Sequence, residues 1–278
     1  MTNRIDAPPV QPDTSDAPPA RGRLDGGWPM QGACLTAGIG ILLIVPLAVV
    51  GYLVAVQGLM TPGDAEKTAS DILASEGVFR LGIACLFVNI VLDVVVAWAL
   101  FRVFSPVSSA ISMLAAWCRI VFAGVFLVAI GELFGVLRLL GNDGYLSVLS
   151  ADQLQAQALL RINTFTDIWD AGFVLFGVHL VLLGYLAYRS GFVPRIIGVL
   201  LVIAGLGYLT DSLGGVLIQG YTADVGAFTF LGELLLGLWL LIRARHIAAS
   251  AAAQTPSSTT PGTGSPTAAD AGTVGLHR

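Results

Sequence analysis

The stretch Ser108–Gly135, "SSAISMLAAWCRIVFAGVFLVAIGELFG", decides the fold of this chain. Almost every side chain in it is apolar, yet Arg119 sits inside the run and Glu132 near its far end. About twenty consecutive apolar residues suffice to cross a hydrocarbon core about 30 Å thick as an α-helix. The run does not alternate polar and apolar residues with period two, so a barrel strand is excluded and a helix remains. Arginine does not shed its proton in such surroundings. A lone charge at mid-bilayer costs at least about 2.5–3.5 kcal/mol. The run therefore demands acidic partners from neighbouring helices.

The same reasoning extends to the rest of the 278 residues, of which 55% are hydrophobic and 12% charged. Soluble domains carry roughly 25% charged residues, so the deficit is large. Mean hydropathy is +0.81. Besides about 108–137, apolar runs fall at about 32–59, 80–103, 163–188, 195–218 and 225–244. They predict an all-α polytopic transmembrane helical bundle of six spans, with seven as the alternative count. Pro46 is expected to kink the first span. The run at 32–59 is too long for a signal-peptide core and is expected to be a retained span.

Outside the runs the composition changes. Residues 1–31 and 247–278 are rich in Pro, Ala, Ser, Thr and Asp, cannot bury enough apolar surface to offset ordering, and are expected to be disordered tails. The transmembrane domain is then 32–246. Basic residues set the orientation. With the N-terminus inside, the inner connectors hold Arg21, Arg23, Arg102, Arg189, Arg195, Arg243 and Arg245, whereas the outer ones hold Lys67, Arg80, Arg138 and Arg161. The outer loops also carry Asp64, Glu66, Asp71, Glu76, Asp143, Asp152 and Asp224. Both termini are thus expected in the cytoplasm.

The inner connectors "FRVFSPVSS" and "YRSGFVPR" are short enough for tight helix hairpins, with Gly191 ending one helix and Pro194 starting the next. The outer loops are longer. Asp64 is placed to cap a short helix through "AEKTASDILAS", and "SADQ" at 150–153 is a capping box leading into span four. Gly131 and Gly135 form a small-xxx-small pair, and span five carries Gly198, Gly205, Gly207, Gly214 and Gly215, all favourable to close helix approach.

Helical rise of about 1.5 Å per residue places the intramembrane polar groups in depth. Asp93, Glu233 and Arg119 fall roughly 13, 15 and 20 Å from the inner boundary, one middle layer drawn from spans two, six and three. Asn89 shares the face of Asp93. The candidate buried polar network is therefore Asn89, Asp93, Arg119 and Glu233. Nearer the outer face, Asp170 and Asp211 are candidates for a polar vestibule, with Asn163 close by and with Asp167 and Glu132 at similar height and expected to be interfacial. His179 is placed on the opposite side of span four from Asp170, and is expected to be a neutral histidine bonded to a nearby carbonyl.

Net charge of −4 gives no reason to expect nucleic-acid binding. Cys34, Cys85 and Cys118 lie in apolar runs without Cys-x-x-Cys spacing and are expected to be packing residues rather than a disulfide or metal framework. No HExxH or GxSxG motif is present, so no catalytic residue, cofactor or metal is assigned and an enzyme is not expected. Two function classes remain. The first is a non-enzymatic membrane module in the lipid bilayer, held by its ion-pair network and open to a protein partner. The alternative is a small-solute or proton-coupled secondary transporter using the carboxylates of Asp93 and Glu233.

"ILASEGVFRLGI" (72–83), "LDVVVAWALFRVFSPV" (92–107), "LLGYLAYRSGFVPRIIGVLLVIAGLGYL" (182–209) and "GELLLGLWLLIR" (232–243) resemble a family of bacterial multi-pass membrane proteins known as domain of unknown function 4386. The likeness covers roughly 32–246, and its most specific part is the "YRSGFVPR" turn with the glycine-rich span after it. It implies a six- or seven-helix bundle in the cytoplasmic membrane. It brings no reaction, cofactor or catalytic residue with it.

Overall fold

The computed structural model describes residues 29–141, 144–221 and 231–253. The expected tail residues 1–28 and 254–278, the loop acids Asp143 and Asp224, and positions 225–230 of the sixth run lie outside the described residues. Among those described, the chain is all helical. The elements are α1 (Met30–Ala48), α2 (Ala65–Ala74), α3 (Glu76–Phe104), α4 (Ser109–Leu140), α5 (Ala151–Arg189), α6 (Arg195–Leu217) and α7 (Leu231–Ala253).

Among the described residues, five segments are long and apolar enough to cross a membrane: Met30–Leu59, Glu76–Phe104, Ser109–Leu140, Ala151–Arg189 and Arg195–Leu217. Helix α7 also has span length but carries Glu233, Arg243 and Arg245. It continues to Ala253, beyond residue 246, because "AASAAA" supplies alanine, the strongest helix former.

Neighbouring helices close into a ring. Helix α1 packs against α3, α3 against α4, α4 against α5, α5 against α6, α6 against α7, and α7 back against α1. The short helix α2 lies outside the ring against α5. Its N-cap is Asp64, whose carboxylate accepts the Lys67 backbone N–H at 2.9 Å. Asp71, one turn on, accepts from the Lys67 ammonium at 2.8 Å and holds that lysine's pKa above its ordinary value.

The capping box at Ser150 forms in both directions. The helix it starts does not stop before the fourth span. It runs unbroken for 39 residues to Arg189, about 58 Å at helical rise, nearly twice a hydrocarbon core. The sequence between 151 and 163 contains neither Gly nor Pro to interrupt it.

Both hairpin turns are tight. Ser112 Oγ donates to the Phe101 carbonyl at 3.1 Å across the α3–α4 turn. The α5–α6 turn contains Gly191 at φ +71°, a left-handed conformation that glycine adopts without Cβ strain. Trp239 of α7 donates its Nε1–H to Phe192 O at 3.0 Å, fastening the last helix to that turn.

Helices α5 and α6 meet backbone to backbone. A Cβ on Gly198 would lie 2.8 Å from Gly184 O, and one on Gly205 2.5 Å from Gly177 O. The pair Gly131 and Gly135 does not serve this purpose. Gly131 faces open space, and Gly135 lies beside the Arg161 side chain rather than a helix backbone.

Helix α1 changes pitch after Pro46. Its regular part ends at Ala48, and Val49–Val54 winds as a π-helix. Proline removes one ladder donor and its ring crowds the preceding turn. Asn89 of α3 lies against this part of α1: with its amide oriented to satisfy both ends, it donates to Ile44 O at 3.2 Å and accepts from Ala48 N–H at 3.3 Å.

Candidate functional site

The interior of the ring is organised by Arg119, the largest fully buried side chain among the described residues, 1% exposed. It projects from α4 across the ring. Its Nε donates to Asp93 Oδ1 of α3 at 2.9 Å, and Nη2 lies 2.7 Å from the same oxygen. Nη1 donates to Glu233 Oε1 of α7 at 2.6 Å. Helices α4 and α7 are not neighbours in the ring, so the guanidinium bridges its interior.

His179 completes the cluster from α5. Its Nδ1 lies 2.8 Å from Ala115 O and its Nε2 lies 3.3 Å from Arg119 Nη1. A carbonyl only accepts and a guanidinium only donates. The ring is therefore the neutral tautomer with the proton on Nδ1. Phe176 stands 5.3 Å from the guanidinium carbon, within cation–π range. Four helices are thus tied to one side chain.

Burying ions is costly, and the pairing offsets that cost only when hydrogen bonds are well made. Here the planar guanidinium meets two carboxylates and one imidazole in its own plane of donors, an arrangement that a lysine ammonium does not reproduce. Asn89 is not bonded to this cluster. It lies one turn along α3 and is committed to the backbone of α1. The expected four-residue network is in fact Asp93, Arg119, Glu233 and His179, with Asn89 beside it. The expected bond from His179 to a nearby carbonyl forms, to Ala115 O. What was missed was that the side of α5 opposite Asp170 faces α4 and Arg119.

Above the cluster lies a cavity of about 830 Å³ whose wall includes residues from all six ring helices. It reaches from Asp93, Arg119 and Glu233 at one extreme to Gln57, Asp167, Asp170, Asp211 and Tyr221 toward the end of the bundle away from the hairpin turns. Tyr221 donates to Asp211 Oδ1 at 2.7 Å, and Ser212 Oγ donates to the Asp170 backbone carbonyl at 2.8 Å. Asp170 and Asp211 therefore stand on one cavity wall, where α5 meets α6. Asp167 also lines it and is exposed. Glu132 does not line it: its carboxylate accepts from Arg161 Nη1 at 2.7 Å. Arg161 is 51% exposed, so this pair adds little stability.

The rest of the wall is aliphatic on the α1 side, at Ile41, Ile44, Val45 and Leu53, and aromatic opposite. On α5, Trp169, Phe173 and Phe176 line the space, with Phe165 packed behind them at the same helical spacing, and Phe122 and Phe126 face them from α4. Trp169 stacks on Phe126 with centroids 4.7 Å apart and takes the edge of Tyr52 at 4.2 Å; Phe173 stacks on Tyr208 at 4.8 Å. The spacing "FTDIWDAGFVLF" carries this face in the sequence, but a core stripe and a cavity wall have the same period. Trp169 is only 9% exposed, and its Nε1–H has no acceptor among the described residues. A buried donor left unpaired costs about 1–3 kcal/mol, and buried polar groups normally have partners.

All three cysteines are free thiols, and no group of three or more His, Cys, Asp or Glu side chains is placed to hold a metal ion among the described residues.

A family model described as "Domain of unknown function (DUF4386)" matches residues 36–244, from within α1 to within α7. A curated relative from Archaeoglobus fulgidus, described as "Uncharacterized protein", is 36% identical over 162 residues, which is 58% of this chain and 83% of the relative. No solved structure matches the chain.

Proposed function

The chain belongs to the family described as Domain of unknown function (DUF4386), and we propose that it is an integral protein of the cytoplasmic membrane that binds a small solute inside its helix ring. In this proposal α7 is the sixth span, and both termini lie in the cytoplasm, as the arginine distribution favours. The hairpin turns then face inward and the cavity opens outward.

The observation behind it is the cavity itself. Its volume of about 830 Å³ falls within the range of small-molecule sites, roughly 300–1,000 Å³. Its wall combines aromatic faces with a few convergent polar groups, the usual make-up of such sites. The polar layer thus lines a space as well as joining helices. Arg119 and His179 are engaged by each other and by Asp93, Glu233 and Ala115. Groups so committed suit a fixed binding floor better than proton transfer in a reaction, and a non-enzymatic role follows.

The test uses the full chain in lipid nanodiscs with a panel of small cationic, neutral and anionic aromatic solutes, read by thermal stabilisation. Ala48 lines the cavity, so Ala48→Phe places a ring inside it. Saturable stabilisation by at least one solute, lost in Ala48→Phe, is the expected result. No stabilisation by any member of the panel would return the ion-pair cluster to a purely structural role.

One feature favours a second reading, secondary transport. The cavity ends at the buried carboxylates Asp93 and Glu233, groups of the kind that mark ion pathways in membranes. Solute flux into proteoliposomes that is abolished by Asp93→Asn and Glu233→Gln, while binding persists, would favour transport. Binding without flux would leave a binding protein.

A further inference from the structure

The bundle is charged asymmetrically along its length. Among the described residues, every Asp and Glu lies in the central layer or toward the longer loops. The end that carries the hairpin turns holds Arg102, Arg189, Arg195, Arg243 and Arg245, all exposed, and no carboxylate among the described residues pairs with any of them.

Three of these arginines converge on one turn, "YRSGFVPR" (188–195). Arg189 ends α5 and Arg195 starts α6. Arg195 Cζ stands 5.5 Å from the centre of the Tyr188 ring, and Arg243 Cζ of α7 stands 5.9 Å from that of Phe192. Trp239, one turn before Arg243, is bonded to the Phe192 carbonyl and holds α7 against the turn. An aromatic face attracts a guanidinium but offers no oxygen to its N–H fork. The forks of Arg189, Arg195 and Arg243 therefore have no acceptor among the described residues.

The backbone of the turn has the same polarity. Ser190 is right-handed, at φ −67° and ψ −27°, and Gly191 is left-handed, at φ +71°. That alternation aims successive N–H groups into one concavity suited to an anion. The N–H groups of Gly191 and Phe192 have no acceptor among the described residues.

Exposed apolar side chains lie immediately on the membrane side of this turn: Tyr185 on α5, Ile196 and Val199 on α6, and Ile242 on α7. A free phosphate has no use for such a flank. A phospholipid presents a phosphate and apolar chains together.

We infer that the α5–α6 turn, with Arg243, binds the phosphate of an anionic phospholipid whose acyl chains lie along the exposed faces of α6 and α7. The arginine fork matches phosphate oxygens in pairs, and basic sites between spans on the cytoplasmic side suit anionic head groups. The leaflet follows from the orientation proposed above. None of these residues lines the cavity, so the assignment stands apart from solute binding.

The experiment titrates the full chain, in a neutral detergent, with dioleoylphosphatidylglycerol, dioleoylphosphatidylcholine or inorganic phosphate. Native mass spectrometry counts bound lipid, and thermal unfolding follows stabilisation. Phosphatidylglycerol is expected to bind saturably and at least about tenfold more tightly than either other probe, a preference that shrinks as salt rises. Arg195→Gln and Arg243→Gln are each expected to remove most of that preference. Arg102→Gln, at the other hairpin turn, is expected to keep it.

Equal binding of the two lipids overturns the anionic assignment. Inorganic phosphate binding as tightly as phosphatidylglycerol makes the turn a free-anion site and overturns the lipid. A loss in Arg102→Gln as large as in Arg195→Gln reduces the effect to diffuse positive charge and overturns the turn as a site. If Arg195→Gln or Arg243→Gln does not elute as a folded monodisperse species, Arg189→Gln takes its place under the same criterion, since that guanidinium has no partner among the described residues.

Discussion

Replacing Arg119 by alanine is the most direct perturbation of this bundle. The substitution leaves the Asp93 and Glu233 carboxylates facing each other without the cation that joins them, and strips His179 Nε2 of its donor. Asp93 and Arg119 are both almost wholly buried and Glu233 largely so. Removing one member of a buried pair costs about 3–5 kcal/mol, mostly from the charge left behind. For a chain of this size each kcal/mol moves the melting temperature by about 2–4 °C, so Arg119→Ala is expected to melt about 6–20 °C below wild type. The assay is thermal unfolding in nanodiscs followed by fluorescence-detected size exclusion. Arg119→Lys should fall between the two, since an ammonium keeps the charge but not the planar fork. The informative control is the triple variant Arg119→Met/Asp93→Leu/Glu233→Met, which removes every charge together. Buried ion pairs replaced by apolar groups of similar volume are often neutral in stability, so the triple variant should recover most of the loss. Arg119→Ala melting within about 2 °C of wild type, or a triple variant as damaged as the single one, would refute the account of the cluster as mutually dependent buried charges.

Asn89→Ala should destabilise by about 1 kcal/mol, the net worth of its side-chain hydrogen bonds to the α1 backbone, as measured by melting temperature. Gly205→Leu should block the α5–α6 contact and abolish monodisperse expression, whereas Gly131→Leu, at a position with open space, should be tolerated in the same assay. Ser150→Ala should cost about 1 kcal/mol through loss of the N-cap and loosen the start of α5 first, seen as faster hydrogen exchange over 151–158. For sidedness, single cysteines at Val148 and Ser190 in a cysteine-free background should label from opposite faces of intact cells, Val148 with an impermeant reagent and Ser190 only after permeabilisation. The reverse pattern would invert the orientation.

The sequence by itself determined that this chain is helical and rich in membrane-length spans, because the hydrocarbon thickness fixes the length of run required and leaves no other hydrogen-bonded backbone. It also determined that Arg119 must find carboxylates, and helical rise alone drew Asp93 and Glu233 into its layer, since a cation that keeps its charge has few alternatives in an apolar interior. Asp64, Ser150 and Gly191 marked their own helix ends, because capping is a local interaction. Which neighbour each helix face meets was settled only by the tertiary structure. Period 3.6 says that His179 and Asp170 lie on opposite sides of α5, but not that one side meets Arg119 from α4 while the other meets Ser212 from α6. Asn89 shares the face of Asp93, yet it turns to the backbone of α1 at Ile44 and Ala48, about forty residues earlier in the chain. The aromatic stripe on α5 has the same spacing whether it fills a core or lines a space. The packing of α7 onto α1 completes the wall of the volume above Arg119, because a cavity is a property of six helices together and is written in none of them singly.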